Sequence, residues 1–68
     1  MDYRERFKNL RIDNDLTQAD IGNICNVTYQ AVAHWEAKRR DMPIDCVIKL
    51  CEFYNVSSDS ILGVKLRS

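Results

Sequence analysis

Sixty-eight residues allow one small domain, because a single hydrophobic core needs roughly 50 to 200 residues. Hydrophobic side chains make up 46% of the chain and charged ones 29%, which excludes a disordered tail or a collagen-like repeat. The ten basic and ten acidic groups cancel, which excludes a bulk polyanion-binding surface but leaves room for a local basic patch.

Two glycines and one proline are too few turn formers for a small sandwich or barrel, so the chain reads as all-α. Tyr3, Phe7 and Leu10 lie at spacings of three and four and predict a first helix ending near Asn14-Asp15. Thr17 followed by Asp20 is a short-carboxylate capping box, and Ile21, Ile24 and Cys25 give the apolar stripe of a second helix of about two turns. Asn26 is its natural stop, since asparagine tolerates the left-handed conformation. Thr28 caps a third helix with Ala31, Val32 and Trp35 inward and a polar opposite face.

Met42-Pro43 opens a fourth helix, with Pro43 placed in the first turn, where its missing N–H costs nothing. Val47, Leu50, Cys51 and Tyr54 form its apolar face, with Ile44 and Ile48 alongside. Asn55 stops it, Ser57 caps a short fifth helix carrying Ile61 and Leu62, and Gly63 ends that one. The expectation is one domain over residues 1–68, a compact five-helix bundle with its core at about 6–63 and a short tail at 64–68. The expected core is Phe7, Leu10, Leu16, Ile21, Ile24, Val32, Trp35, Val47, Leu50, Val56 and Ile61.

Charge is segregated along the chain: net +2 over residues 1–11, −3 over 12–27, +2 over 28–40, −3 over 41–59 and +2 over 60–68. No apolar stretch approaches the roughly 18 residues of a membrane span, and the charged start has no apolar segment after it, so a cytoplasmic protein without a membrane partner is expected. Three cysteines, Cys25, Cys46 and Cys51, form no Cys-x-x-Cys pair, and His34 stands alone; free thiols are expected rather than a disulfide framework or a zinc site. There is no Gly-rich phosphate loop and no histidine with carboxylate and cysteine on one helix face. No enzyme, cofactor or small-molecule substrate is therefore expected.

Two short helices separated only by Asn26 and Val27, the second polar on its free face, describe a helix-turn-helix. Leu16-Thr17-Gln18-Ala19-Asp20-Ile21, then Val27-Thr28-Tyr29-Gln30-Ala31-Val32-Ala33-His34-Trp35-Glu36, closely resembles the Cro/CI-type (XRE), lambda-repressor-like family of helix-turn-helix DNA-binding domains. Pro43, the run from Lys49 to Val56 and the run from Ser57 to Gly63 look like that family's later helices, so the resemblance covers roughly residues 6 to 63. Where the family commonly has glycine, this chain has Asp15, Asn26, Lys38 and Asn55. Asp and Asn tolerate positive φ at small cost; Lys38 is the exception, at about 1 kcal/mol.

The resemblance implies that the third helix enters the major groove and that Gln18 contacts the DNA backbone or braces that helix. Tyr29, Gln30, Ala33 and His34 share one face near its start and are the candidate base contacts; Gln30 suits adenine, and Tyr29 suits a thymine methyl or a phosphate. Gln18, Thr28, Lys38, Arg39 and Arg40 are the candidate phosphate contacts. The family pairs the equivalents of Arg11 and Glu36, which implies a structural ion pair between the first and third helices. The function expected is that of a sequence-specific transcriptional regulator of bacterial or phage origin, acting as a repressor and binding a palindromic operator as a homodimer. Leu62, Val64 and Leu66, with Ile61, form the expected dimer interface. A rival expectation is an antitoxin or phage accessory protein that binds a protein partner.

Overall fold

The computed structural model describes residues 2–57 and residue 61. The first helix, α1 (Tyr3–Asp13), starts where the Asp2 carboxylate accepts the Arg4 N–H. The second, α2 (Gln18–Cys25), carries the full capping box: the Thr17 hydroxyl accepts from the Asp20 N–H, and the Asp20 carboxylate accepts from the Thr17 N–H at 2.8 Å. Thr28 caps α3 (Tyr29–Glu36) through the Ala31 N–H. The fourth, α4 (Ile44–Tyr54), has no side-chain cap. Pro43 is its N-cap residue, with extended backbone (φ −58°, ψ 145°), rather than a member of the first turn. The residue before the first turn makes no helical N–H bond either, so proline is tolerated there for the same reason.

Four helices are described among these residues, where five were expected. Most of the expected fifth lies at positions outside the described residues; Ile61 itself is helical, and its N–H donates to the Ser57 carbonyl at 3.2 Å.

All four helices end in the same way. Asp15, Asn26, Lys38 and Asn55 take φ of 57°, 59°, 63° and 57°. The next N–H in each case reaches back five residues: Leu16 to Arg11, Val27 to Gly22, Arg39 to His34 and Val56 to Cys51, at 2.8 to 2.9 Å. This is the Schellman stop, in which a left-handed residue lets the chain turn back over the helix end and satisfy its last carbonyls. At three of the stops the residue after the turn is apolar, and Leu16, Val27 and Val56 pack against the core. At the end of α3 it is Arg39, which is exposed.

The buried core is Phe7, Ile21, Cys25, Val32, Trp35, Met42, Cys46, Val47, Leu50, Cys51 and Ile61. Leu10, Leu16, Ile24 and Val56, expected inside, are half-buried against it. Ile44 and Ile48, expected alongside the core, are 63% and 48% exposed. Cys46, Val47, Leu50, Cys51 and Tyr54 occupy one arc of α4, and residues 44 and 48 fall just beyond its edge, where none of the described helices covers them. No helix among the described residues is long and apolar enough to cross a membrane.

The backbone that leads into α3 passes close over α2 at Gly22. A Cβ built there would stand 2.6 Å from the Val27 carbonyl oxygen and 3.3 Å from the Thr28 carbonyl carbon. Glycine thus lets the start of α3 lie directly on α2, and the obstructing atoms are backbone, which cannot swing aside. Gly22→Ala should destabilise the domain by about 1 kcal/mol net, because overpacking at about 1–3 kcal/mol outweighs the roughly 1 kcal/mol gained in helix propensity. A urea unfolding midpoint equal to or above that of the parent would contradict this contact.

Candidate nucleic-acid interface

One carboxylate ties α3 to both α1 and α2. Glu36, in the last turn of α3, accepts from Arg11 Nε at 2.7 Å and from Arg11 Nη2 at 3.0 Å, and its Oε1 also accepts from Gln18 Nε2 at 3.0 Å. Arg11 Nη1 donates onward to the Leu16 carbonyl at 2.9 Å. The side chains of Arg11 and Glu36 are only 15% and 9% exposed. An anion at a helix C-terminus is disfavoured by the helix dipole, and a covered one needs partners; Arg11 and Gln18 supply both charge and donors. The Arg11 guanidinium is held charged chiefly by its hydrogen bonds to Glu36, against the opposing effect of burial. Of the two roles the resemblance implies for Gln18, the structure places its amide in bracing contact with Glu36. Thus α1, α2 and α3 meet at a single side chain.

That arrangement turns the opposite side of α3 outward. Tyr29 is 54% exposed, Gln30 is exposed, and Ala33 and His34 are half-buried. The side chains of Tyr29, Gln30 and His34 make no hydrogen bond with other described residues. Exposed Thr28 uses its oxygen as acceptor for the Ala31 N–H at 3.3 Å, which leaves its hydroxyl hydrogen free to donate.

The basic run after α3 is held against α1. Lys38 Nζ lies 3.2 Å from Glu5 Oε1, an exposed pair that binds weakly and exchanges readily. Arg4 grips the far end of the loop: Nη1 donates to the Arg40 carbonyl at 3.0 Å and to Asp41 Oδ1 at 3.3 Å. The remaining Arg4 donors bind Asp2 at 2.7 and 2.9 Å, and these bonds hold the Asp2 carboxyl far below the usual carboxylate range. The guanidinium also lies 5.6 Å from the centre of the Tyr3 ring, whose hydroxyl accepts the Met42 N–H at 3.0 Å. Tyr3 and Arg4 therefore position residues 40–42, a role no local pattern signals because the partners are 36 to 39 positions apart. The Arg39 and Arg40 side chains project into solvent beside the C-terminal, negative end of α3, where cations are favoured.

Ile61, expected in the core and also at a dimer interface, is buried inside the domain at 4% exposure. It has almost no side-chain surface left to offer a partner. Leu62, Val64 and Leu66 lie outside the described residues. The three cysteines are free and buried; burial, with Cys46 beside it, raises the Cys25 thiol to about 12, so it packs as a small hydrophobe at neutral pH.

Two short helices crossing at a left-handed asparagine, the second laid over the first and polar outward, define a helix-turn-helix protein. The helix-turn-helix family profile matches residues 7–61, and the chain belongs to that family, in its XRE-type branch. A comparison with curated protein sequences returns no match. Among solved structures, the chain is similar to the P22 c2 repressor in complex with synthetic operator 9T, with a TM-score of 0.82 and 22% identity over 96% of this chain and 98% of that one. It is also similar to a transcriptional regulator from Listeria innocua, with a TM-score of 0.86 and 21% identity over 97% of this chain. The chain spans 62% of that regulator's length.

Proposed function

We propose that this chain is a sequence-specific double-stranded DNA-binding transcriptional regulator of bacterial or phage origin, and that it acts as a repressor. The observation that carries this reading is the outward face of α3: Tyr29 and Gln30 stand exposed at its first turn, and the stop at its end directs Arg39 to solvent instead of to the core. Tyr29, Gln30, Ala33 and His34 then meet base edges in the major groove, with Gln30 bidentate to adenine. Thr28, Lys38, Arg39 and Arg40 lie along the phosphates, and Gln18, braced on Glu36, keeps one N–H of its amide for the backbone. The complex of the P22 c2 repressor with its operator supports this reading by likeness of fold.

Base and phosphate roles separate in titrations at several salt concentrations. Arg39→Ala is expected to weaken binding to all sequences and to lower the salt slope by about one. Gln30→Ala is expected to cost about 1–3 kcal/mol on the preferred site and to leave nonspecific binding nearly unchanged. Equal losses for both variants on random and preferred DNA would remove Gln30 from base reading.

One module offers few base contacts, so the operator is palindromic and bound by a homodimer, with half-sites about one helical turn apart. Leu62, Val64 and Leu66 supply the apolar contact, and Leu62→Glu leaves a folded monomer. Sedimentation tests this: a parent that stays monomeric at high micromolar concentration, free and on its operator, would rule the arrangement out.

The exposed Ile44, Ile48 and Phe53 favour a second reading, in which the same fold binds a protein partner, as an antitoxin or phage accessory protein would. Selection from a random duplex library discriminates the two. An enriched palindrome supports DNA reading, and no enrichment supports the protein partner.

A further inference from the structure

Tyr54 ends α4 with its hydroxyl fully buried and without a hydrogen-bond partner among the described residues. The ring stacks on buried Phe7 with centroids 6.3 Å apart and meets Phe53 edge-on at 5.1 Å. A buried hydroxyl without a partner costs about 1–3 kcal/mol, and native interiors rarely leave one so.

Beside it is a cavity of about 10 Å³, lined by Tyr54, Glu36 and Arg4 among apolar neighbours that include Trp35 and Leu50. That is the smallest space that holds one water molecule. Glu36 has the capacity to bind it. A carboxylate offers about four acceptor positions, two on each oxygen. Oε1 uses two, for Arg11 Nη2 and Gln18 Nε2, while Oε2 uses one, for Arg11 Nε. One position on Oε2 remains.

We infer that a single buried water sits in this cavity, accepting from the Tyr54 hydroxyl and donating to Glu36 Oε2. The bridge gives the orphan hydroxyl its partner and fills the last acceptor position of the carboxylate with one molecule. It also brings α4 into the network through which Glu36 already joins α1, α2 and α3, so Tyr54 acts as a positioning residue for α3. Burial pushes the Tyr54 hydroxyl up to about 12, consistent with a group that stays protonated and donates. The inference is independent of what α3 binds.

The test uses the full chain without DNA. In a high-resolution crystal structure, one ordered water is expected within hydrogen-bond distance of Tyr54 Oη and Glu36 Oε2. In solution, the Tyr54 hydroxyl proton should show a magnetisation-transfer signal to a long-lived water. Tyr54→Phe should abolish the ordered water and speed exchange of the Arg11 Nε proton several-fold, since Oε2 loses a partner that helps hold it in place. A purely apolar packing role for the ring would leave that proton unchanged in the phenylalanine variant. A dry cavity, absence of the water signal in the parent, or unchanged Arg11 Nε exchange in Tyr54→Phe would each overturn the bridge. The first two are read on the parent, so they stand even if the variant folds poorly.

Discussion

Trp35→Ala is expected to cost about 3–5 kcal/mol and to leave the domain largely unfolded at 37 °C. Trp35 is the largest side chain of the core and only 4% exposed. It lies on the inner face of α3 beside Val32, at 2%, and truncating it removes the main apolar attachment of α3 to the rest of the chain. A chain of this length has roughly 3–10 kcal/mol of total stability, by the usual 0.05–0.15 kcal/mol per residue, so the loss takes about a third of it at the least and all of it at the lower end. Circular dichroism reads the result directly, because removing the only tryptophan does not affect that signal's usefulness as it does fluorescence. Trp35→Phe should recover part of the loss by keeping an aromatic ring in the same space. A melting curve for Trp35→Ala that overlays the parent would mean that α3 is held by its polar contacts alone.

Local chemistry was legible in the sequence where a single residue or a short spacing decides it. Thr17 with Asp20, Thr28, Asn26 and Asn55 each act through backbone groups within five positions, and the structure has them as caps and stops. Lys38 also takes the left-handed conformation at φ 63°, which follows from the family's glycine at that position and not from anything lysine prefers. Ile44 and Ile48 fall outside the core because a stripe of four buried positions on α4, extended by half-buried Tyr54, carries no rule, at the level of spacing, for where its edge falls. Met42 marks only the opening of a helix in the sequence, yet it is 8% exposed, since Tyr3 draws its backbone inward from 39 residues away. Gly22 is legible too: one of only two glycines, placed inside a helix it weakens, marks a close backbone approach. Contacts of long sequence separation, such as Arg4 with Arg40 and Tyr54 beside the Glu36 network, have no local pattern to betray them.

Removing the carboxylate at the centre of that network should be the costliest polar change. Glu36→Ala leaves the Arg11 guanidinium, 15% exposed, with the Leu16 carbonyl as its remaining acceptor, and it strips Gln18 of its bond. Breaking a covered ion pair from one side costs about 3 kcal/mol or more, because the surviving charge is left uncompensated. Arg11→Ala should be similarly severe, for it leaves the Glu36 charge at the negative end of α3. The double variant should be far less unstable than the sum of the two, since neither charge is then stranded; a double-mutant cycle isolates that coupling. Covered pairs are also weakly screened, so the Glu36→Ala deficit in urea midpoint should persist at 1 M salt. The Lys38 and Glu5 pair, about half-exposed, should contribute less than about 1 kcal/mol and fade with salt. If Glu36→Ala and Lys38→Ala gave equal losses with equal salt dependence, Glu36 would be a surface carboxylate in solution, and the orientation of α3 would have to be set by Trp35 and Val32 without it.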